Sequence, residues 1–290
     1  MPSLLVEVKS KMHLYAHERV RSLLEGEYGS VLKGRSIDFE DLRDYVPGDD
    51  VKDIDWKATA RSGTTLVKRY VAIRKHNILL IVNTGRSMAA LAPDGKIKRD
   101  LAIFTSGVIA SLALQHGDLV GMMAGDDQSN YYLPLKSNKP HVEQMLQYLY
   151  KQTSLQSSGG SLVRQLDYVA KSFRRRAFLI IITDNDQVTP EISQLLRRLR
   201  AQHEILWVVL ASSSGLQPES VFDIDNQAVL PYFLRSNLAI KEAWDKQTES
   251  EGTEMQRQLS RLGIVSERIS GEAETIGQIF RLLERQKHAR

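Results

Sequence analysis

The sequence predicts an α/β protein built on a doubly wound, mostly parallel sheet, preceded by an N-terminal helical and extended segment. Three observations carry this reading. Apolar runs at residues 78–82 (ILLIV), 178–182 (FLIII) and 205–210 (ILWVVL) are continuous rather than alternating, and rich in branched side chains. A strand covered by helices on both faces reads in this way. The stretches between the runs carry helical periodicity, so strands and helices alternate along the chain.

Residues 3–24 predict one helix. Gly26, Gly29 and Gly34 follow, then an acidic stretch with the turn signal Pro47-Gly48. Residues 64–73 are expected to be extended and to lead into the first core strand at 78–82. Leu101, Phe104, Val108 and Leu112 sit at helical spacing within 97–115, and Gly117 supplies a C-terminal stop. Residues 119–124 predict a strand and 131–135 its hairpin partner across the turn-rich 125–130. So short a link permits only antiparallel pairing, which puts 131–135 at a sheet edge. Helices are expected at 141–151 and 162–174, separated by a Ser/Gly-rich loop at 153–161. Pro190 suits the first turn of a helix over 191–200. After an exposed connection at 212–226, a helix at 255–262 closed by Gly263, a strand at 265–269 and a helix at 273–284 complete the pattern. The chain divides into an N-terminal extension, 1–75, and an α/β domain, 76–290.

Composition narrows the function classes. The chain has 290 residues, 42% of them hydrophobic and 26% charged, an ordinary globular balance. It has no cysteine, which excludes disulfides, thiolate zinc sites and a cysteine nucleophile. A net charge of +4 is too small over this length to argue for nucleic acid. No apolar run approaches the roughly 20 residues that span a bilayer, and the start is too charged for a signal peptide. A cytoplasmic protein is therefore expected. There is no phosphate-loop glycine pattern, dinucleotide fingerprint or nucleophile elbow.

Ligands of open α/β sheets bind beyond the carboxyl ends of the strands. Two core strands run there into polar residues, Asn83-Thr84-Gly85-Arg86-Ser87 and Thr183-Asp184-Asn185-Asp186, and a third loop, Gly159-Gly160-Ser161, precedes a helix. These loops resemble the metal-ion-dependent adhesion site of von Willebrand factor A domains. Ser87 matches the final serine of that site's first loop, Asp184 its distant aspartate, and Ser161 stands for its threonine. Asn83 replaces the leading aspartate and Gly85 the first serine. The resemblance implies a Rossmann-like fold with a degenerate site. With a single certain carboxylate, weak or absent Mg²⁺ binding is expected, strengthened by Asn83→Asp. In the competing structural reading Ser87 and Ser161 simply cap helices.

A second resemblance covers about residues 26–290. Arg43, Asp44, Tyr45, Gly48, Asp49 and Asp50, followed by Asp55, Trp56 and Arg61, look like the signature of the domain-of-unknown-function 58 family, in which it precedes a von Willebrand A-like domain. The resemblance implies a bacterial or archaeal protein of a kind often associated with MoxR-type AAA+ ATPases. Read physically, Asp53 and Asp55 would share one face of an extended strand, Arg43 and Arg61 would pair with the carboxylates, and Tyr45 and Trp56 would pack. The arginines at 174–176 and at 197, 198 and 200 suit helix C-termini. His13 and His17 lie one helical turn apart but lack a third ligand.

Two functions compete. One is a non-catalytic protein-binding or adaptor module acting through the sheet's carboxyl edge. The other is a metal-dependent hydrolase or nuclease using Asp184 and Asp186 with Asp49, Asp50, Asp53 or Asp55.

Overall fold

The computed structural model describes residues 3–16, 18–33, 41–51, 54–69, 75–184, 187–213, 222–224, 228–229 and 237–289. In chain order the helices are α1 (Leu4–Tyr15), α2 (Glu18–Lys33), α3 (Trp56–Ser62), α4 (Lys98–Gln115), α5 (Lys139–Gln152), α6 (Leu162–Ser172), α7 (Pro190–Arg200), α8 (Leu238–Arg261) and α9 (Thr275–His288). The strands are β1 (Asp41–Asp44), β2 (Leu66–Arg69), β3 (Asn77–Asn83), β4 (Leu119–Gly125), β5 (Asn130–Lys136), β6 (Phe178–Thr183), β7 (Glu204–Leu210), β8 (Phe222–Asp223), β9 (Ala228–Val229) and β10 (Val265–Ile269).

The three apolar runs become neighbours in one six-stranded sheet of order β10-β7-β6-β3-β4-β5. All pairings are parallel except β4 with β5, which places the expected hairpin partner antiparallel at the edge. Alternate residues of β3 face two separate cores. Ile78, Leu80 and Val82 meet α1, α2, α4, α5 and α9. Leu79 and Ile81 meet α6, α7 and α8. Each strand residue therefore needs an apolar side chain, which is why the run does not alternate.

Helix α4 is buried nearly all round because α1 covers the side turned away from the sheet. A Cβ at Gly107 would lie 2.7 Å from Val8 Cγ2, so glycine there lets the two helices close. Residues 3–24 do not form one helix. Ala16 turns extended at φ −128°, ψ 120°, and α2 starts afresh at Glu18. The break lets α1 seat on α4 and α5 while α2 packs on α9. At the far end of α2, the buried Tyr28 hydroxyl donates to Asp118 Oδ2 at 3.0 Å, and Asp118 Oδ1 accepts from the His76 amide at 2.8 Å. This joins α2 to the segments that lead into β3 and β4.

Helix α8 starts well before the expected 255. Asn237 caps it by accepting from the amides of Ala239 and Ile240. Only its last turns bury apolar residues, Met255 and Leu259, so the earlier turns leave no periodic signal in the sequence. Gly117 and Gly263, with φ of 75° and 67°, end α4 and α8 as expected. Most of the connection expected at 212–226 lies outside the described residues.

The start of α1 is held by a carboxylate from another helix. Glu143 of α5 accepts from Ser3 Oγ at 2.7 Å and from the amides of Leu4 and Leu5 at 3.0 and 2.9 Å. An anion there satisfies orphan donors and the helix dipole. Burial opposes its ionisation, but hydrogen bonds from Gln147, Leu5, Ser3 and Leu4 hold its pKa below the ordinary 4.5. A lowered carboxyl pKa stabilises the fold above the unfolded value and loses that contribution as pH falls through the folded value. Urea unfolding of Glu143→Gln should show a loss of roughly 1 kcal/mol at neutral pH, shrinking as the pH is taken below 4.5.

Candidate functional site

The site forms where β3 and β6 end side by side. Asn83, the last residue of β3, is 4% exposed. Its Oδ1 accepts from the Gly85 amide at 3.0 Å, bending the chain out of the strand. Its Nδ2 donates to Asp184 Oδ1 at 3.1 Å. The other carboxylate oxygen, Oδ2, accepts from Lys98 Nζ at 2.7 Å. Lys98 opens α4, is 2% exposed, and also donates to Ser212 Oγ at 2.8 Å, just beyond β7. Segments after β3, β6 and β7 and the first turn of α4 thus meet around one buried ion pair.

A second loop lies directly on the first. The Arg86 amide donates to Ser158 O at 2.8 Å, and the Thr84 amide to Gly125 O at 2.9 Å. A Cβ at Gly85 would lie 2.5 Å from Gly160 Cα, and one at Gly160 would lie 2.5 Å from Asn83 Nδ2. Both glycines are required by this crossing. Asn83, Gly85 and Asp184 are therefore in one contact network, with Gly160 beside them. Ser87 sits half-buried in the 3₁₀ turn Arg86–Ala89, where its carbonyl accepts from Ala90. Ser161 is the N-cap of α6, accepting from the Arg164 amide at 3.5 Å.

The donor set does not fit a divalent cation. Both Asp184 oxygens are engaged, one of them by an ammonium. The Asn83 carbonyl is taken by Gly85, and backbone fills the place where a serine at 85 would put its side chain. Among the described residues no three His, Asp or Glu side chains group as metal ligands. Asn185 and Asp186 lie outside the described residues.

Sequence reasoning missed Lys98 and Ser212. One signal was available. A lysine at the first position of a helix faces the positive end of the dipole, so it needs a carboxylate from elsewhere.

The signature segment folds locally. β1 and β2 pair antiparallel, and Arg43 grips Asp49 with both terminal guanidinium nitrogens, at 2.7 and 2.5 Å. That contact holds the Asp49 pKa below its ordinary value. Gly48, at φ 113°, makes the turn. Asp53 lies outside the described residues, and Asp55 is not in a strand. It caps α3, accepting from the Lys57 and Ala58 amides at 3.0 Å. Asp44, Asp50 and Arg61 are exposed. Trp56 and Tyr45 do not pack away. Trp56 is 64% exposed, and Val46 and Val51 are also exposed.

Removing the Lys98 charge should leave a buried carboxylate without its cation. Lys98→Met is expected to cost about 3–5 kcal/mol in urea unfolding, with much of it recovered in Lys98→Met/Asp184→Asn. Gly85→Ser should cost about 1–3 kcal/mol by forcing the 159–160 backbone outward, which a denaturation midpoint will show.

Residues 41–216 match the family described as protein of unknown function DUF58. An uncharacterized protein of Mycobacterium tuberculosis is 24% identical over 216 residues, covering 73% of this chain and 67% of that one. Among solved structures, the chain is similar to an aerotolerance-related membrane protein from Bacteroides fragilis, at 18% identity and TM-score 0.42, over 72% of this chain and 99% of that one. It is also similar to a von Willebrand factor type A structure from Catenulispora acidiphila, at 8% identity and TM-score 0.44, over 77% and 44%. A membrane spanning protein from Vibrio fischeri matches at 15% identity and TM-score 0.26, over 73% and 98%. The expectation of a cytoplasmic protein is corrected by these findings, since two of the similar structures come from proteins described as membrane proteins. No described helix is long and apolar enough to cross a membrane. The matched segment runs from the Arg43–Asp49 pair past the end of β7, more than half of the sequence, and the chain belongs to the DUF58 family of proteins of unknown function.

Proposed function

We propose that this chain is a non-catalytic docking module that binds a protein partner, a MoxR-type AAA+ ATPase being the partner that the family resemblance suggests. The observation that carries this reading is the commitment of the acidic side chains to structure. Asp184 is sealed against Lys98, Asp49 is gripped by Arg43, and Asp55 caps α3. A hydrolytic site needs carboxylates free to hold an ion or activate water. These three serve the fold.

What the molecule presents instead is apolar surface on the signature unit. Trp56, Val46 and Val51 are 64%, 56% and 60% exposed within a small segment whose helix is capped at both ends. Exposed aromatic and branched side chains on a rigid support are what an interface anchor requires. The sheet's carboxyl edge, with Ser87 at its rim, supplies a second contact face.

The test is direct binding between the purified chain and the purified MoxR-type ATPase of the same source, measured by calorimetry. A complex weakened tenfold or more by Trp56→Ala, in line with about 2 kcal/mol for a central aromatic anchor, supports the reading. Mg²⁺-dependent hydrolysis of phosphodiester or ester substrates, abolished by Asp184→Asn, would replace it with the hydrolase reading.

A further inference from the structure

We infer that the ammonium of Lys98 is the resident cation of this site, standing where the fold's adhesion sites hold a metal, so that the sheet's carboxyl edge works without a divalent ion. This deepens the docking reading and rests on it for what the face is used for.

Lys98 Nζ lies 2.7 Å from Asp184 Oδ2, and the two side chains are 3% and 6% exposed. Asp184 is the one carboxylate at the end of β6 that the sequence offered as a certain ligand. A cation already meets it, tethered to α4 and therefore always present at high local concentration. Ser212 Oγ, at 2.8 Å, supplies the ammonium with a further acceptor.

Charge balance points the same way. One ammonium and one carboxylate cancel. Asn83 adds no charge, and its amide group satisfies both Asp184, through Nδ2, and Gly85, through Oδ1. A carboxylate at 83 would leave the buried cluster with a surplus negative charge and no donor for Asp184 Oδ1. The neutral residue at 83 and the cation at 98 are thus one arrangement, not two separate departures.

Geometry closes the remaining route. A hydroxyl at position 85 has no room, because Gly159 and Gly160 cross directly over it. Mg²⁺ sheds water reluctantly and needs carboxylates in compensation. To enter here it must expel an ammonium from Asp184, and among the described residues no group of three His, Asp or Glu side chains is placed to hold it. It also follows that Asn83→Asp alone gives Lys98 a second counter-ion rather than recruiting a metal, which revises the expectation from the sequence.

Thermal unfolding with and without Mg²⁺ or Mn²⁺ tests the inference on the whole chain. The native protein and Asn83→Asp should each melt at a temperature independent of either ion. Asn83→Asp/Lys98→Ala, with two carboxylates and the ammonium gone, should gain a rise of roughly 5 °C at a hundredfold excess of Mn²⁺ over its Kd. A saturable rise in the native protein that Asp184→Asn removes would overturn the inference, as would a folded double variant indifferent to both ions. Should the double variant not fold, the native and Asn83→Asp measurements decide alone. Metal binding by the native chain would sink the lysine assignment while leaving ATPase docking untouched. Failure to bind the ATPase would do the reverse.

Discussion

Burying Lys98 against Asp184 obliges four segments of the chain to meet. The ammonium comes from the first turn of α4, the carboxylate from the end of β6, the bridging amide from the end of β3 and the extra acceptor from just beyond β7. An ion pair inside a protein is tolerable only when each charge finds its counterpart and its remaining hydrogen bonds. The loops at this end of the sheet have little freedom as a result. The crossing of residues 158–160 over 83–86 is the clearest case, because it leaves no room for a side chain at Gly85 or Gly160.

Beneath that end, the sheet depends on being covered twice. α6, α7 and α8 close one face, and five helices close the other. The N-terminal helices belong to that second core. α1 lays Leu5, Val8 and Met12 over α4, and α2 brings Leu24, Tyr28 and Val31 to the same cluster. Polar contacts fix their placement, with Glu143 at the start of α1 and Asp118 at the Tyr28 hydroxyl. At the carboxyl end, the buried Glu272 takes Lys11 of α1 and Lys96 from the approach to α4, so the same helix is also tied near the candidate site.

The signature segment obeys a different logic. Asp49 and Asp55 are spent locally, within a hairpin and one short helix, while Val67 is buried and Trp56, Val46 and Val51 are exposed. Two of the motif's aspartates are thereby committed to hydrogen bonds within the segment.

The sequence by itself determined the layered α/β architecture, the central strands and the antiparallel edge, because burial on both faces writes a continuous apolar run and a short link dictates a hairpin. It also marked the helix ends at Gly117 and Gly263, where a positive φ requires a residue without a side chain. It brought Asn83, Gly85 and Asp184 forward as companions through their places at strand ends. Periodicity was silent on the break at Ala16, since both halves of the segment carry apolar residues and only their seating on different helices separates them. It was silent on Asp55 as a cap, and on the early turns of α8, which bury little. Above all, only the tertiary structure decided that the cation at the site is Lys98. Residues 98 and 184 are 86 positions apart, and 98 and 212 are 114 apart. Sequence pattern records which face of an element meets the core. Which charges meet is settled only when separate loops converge.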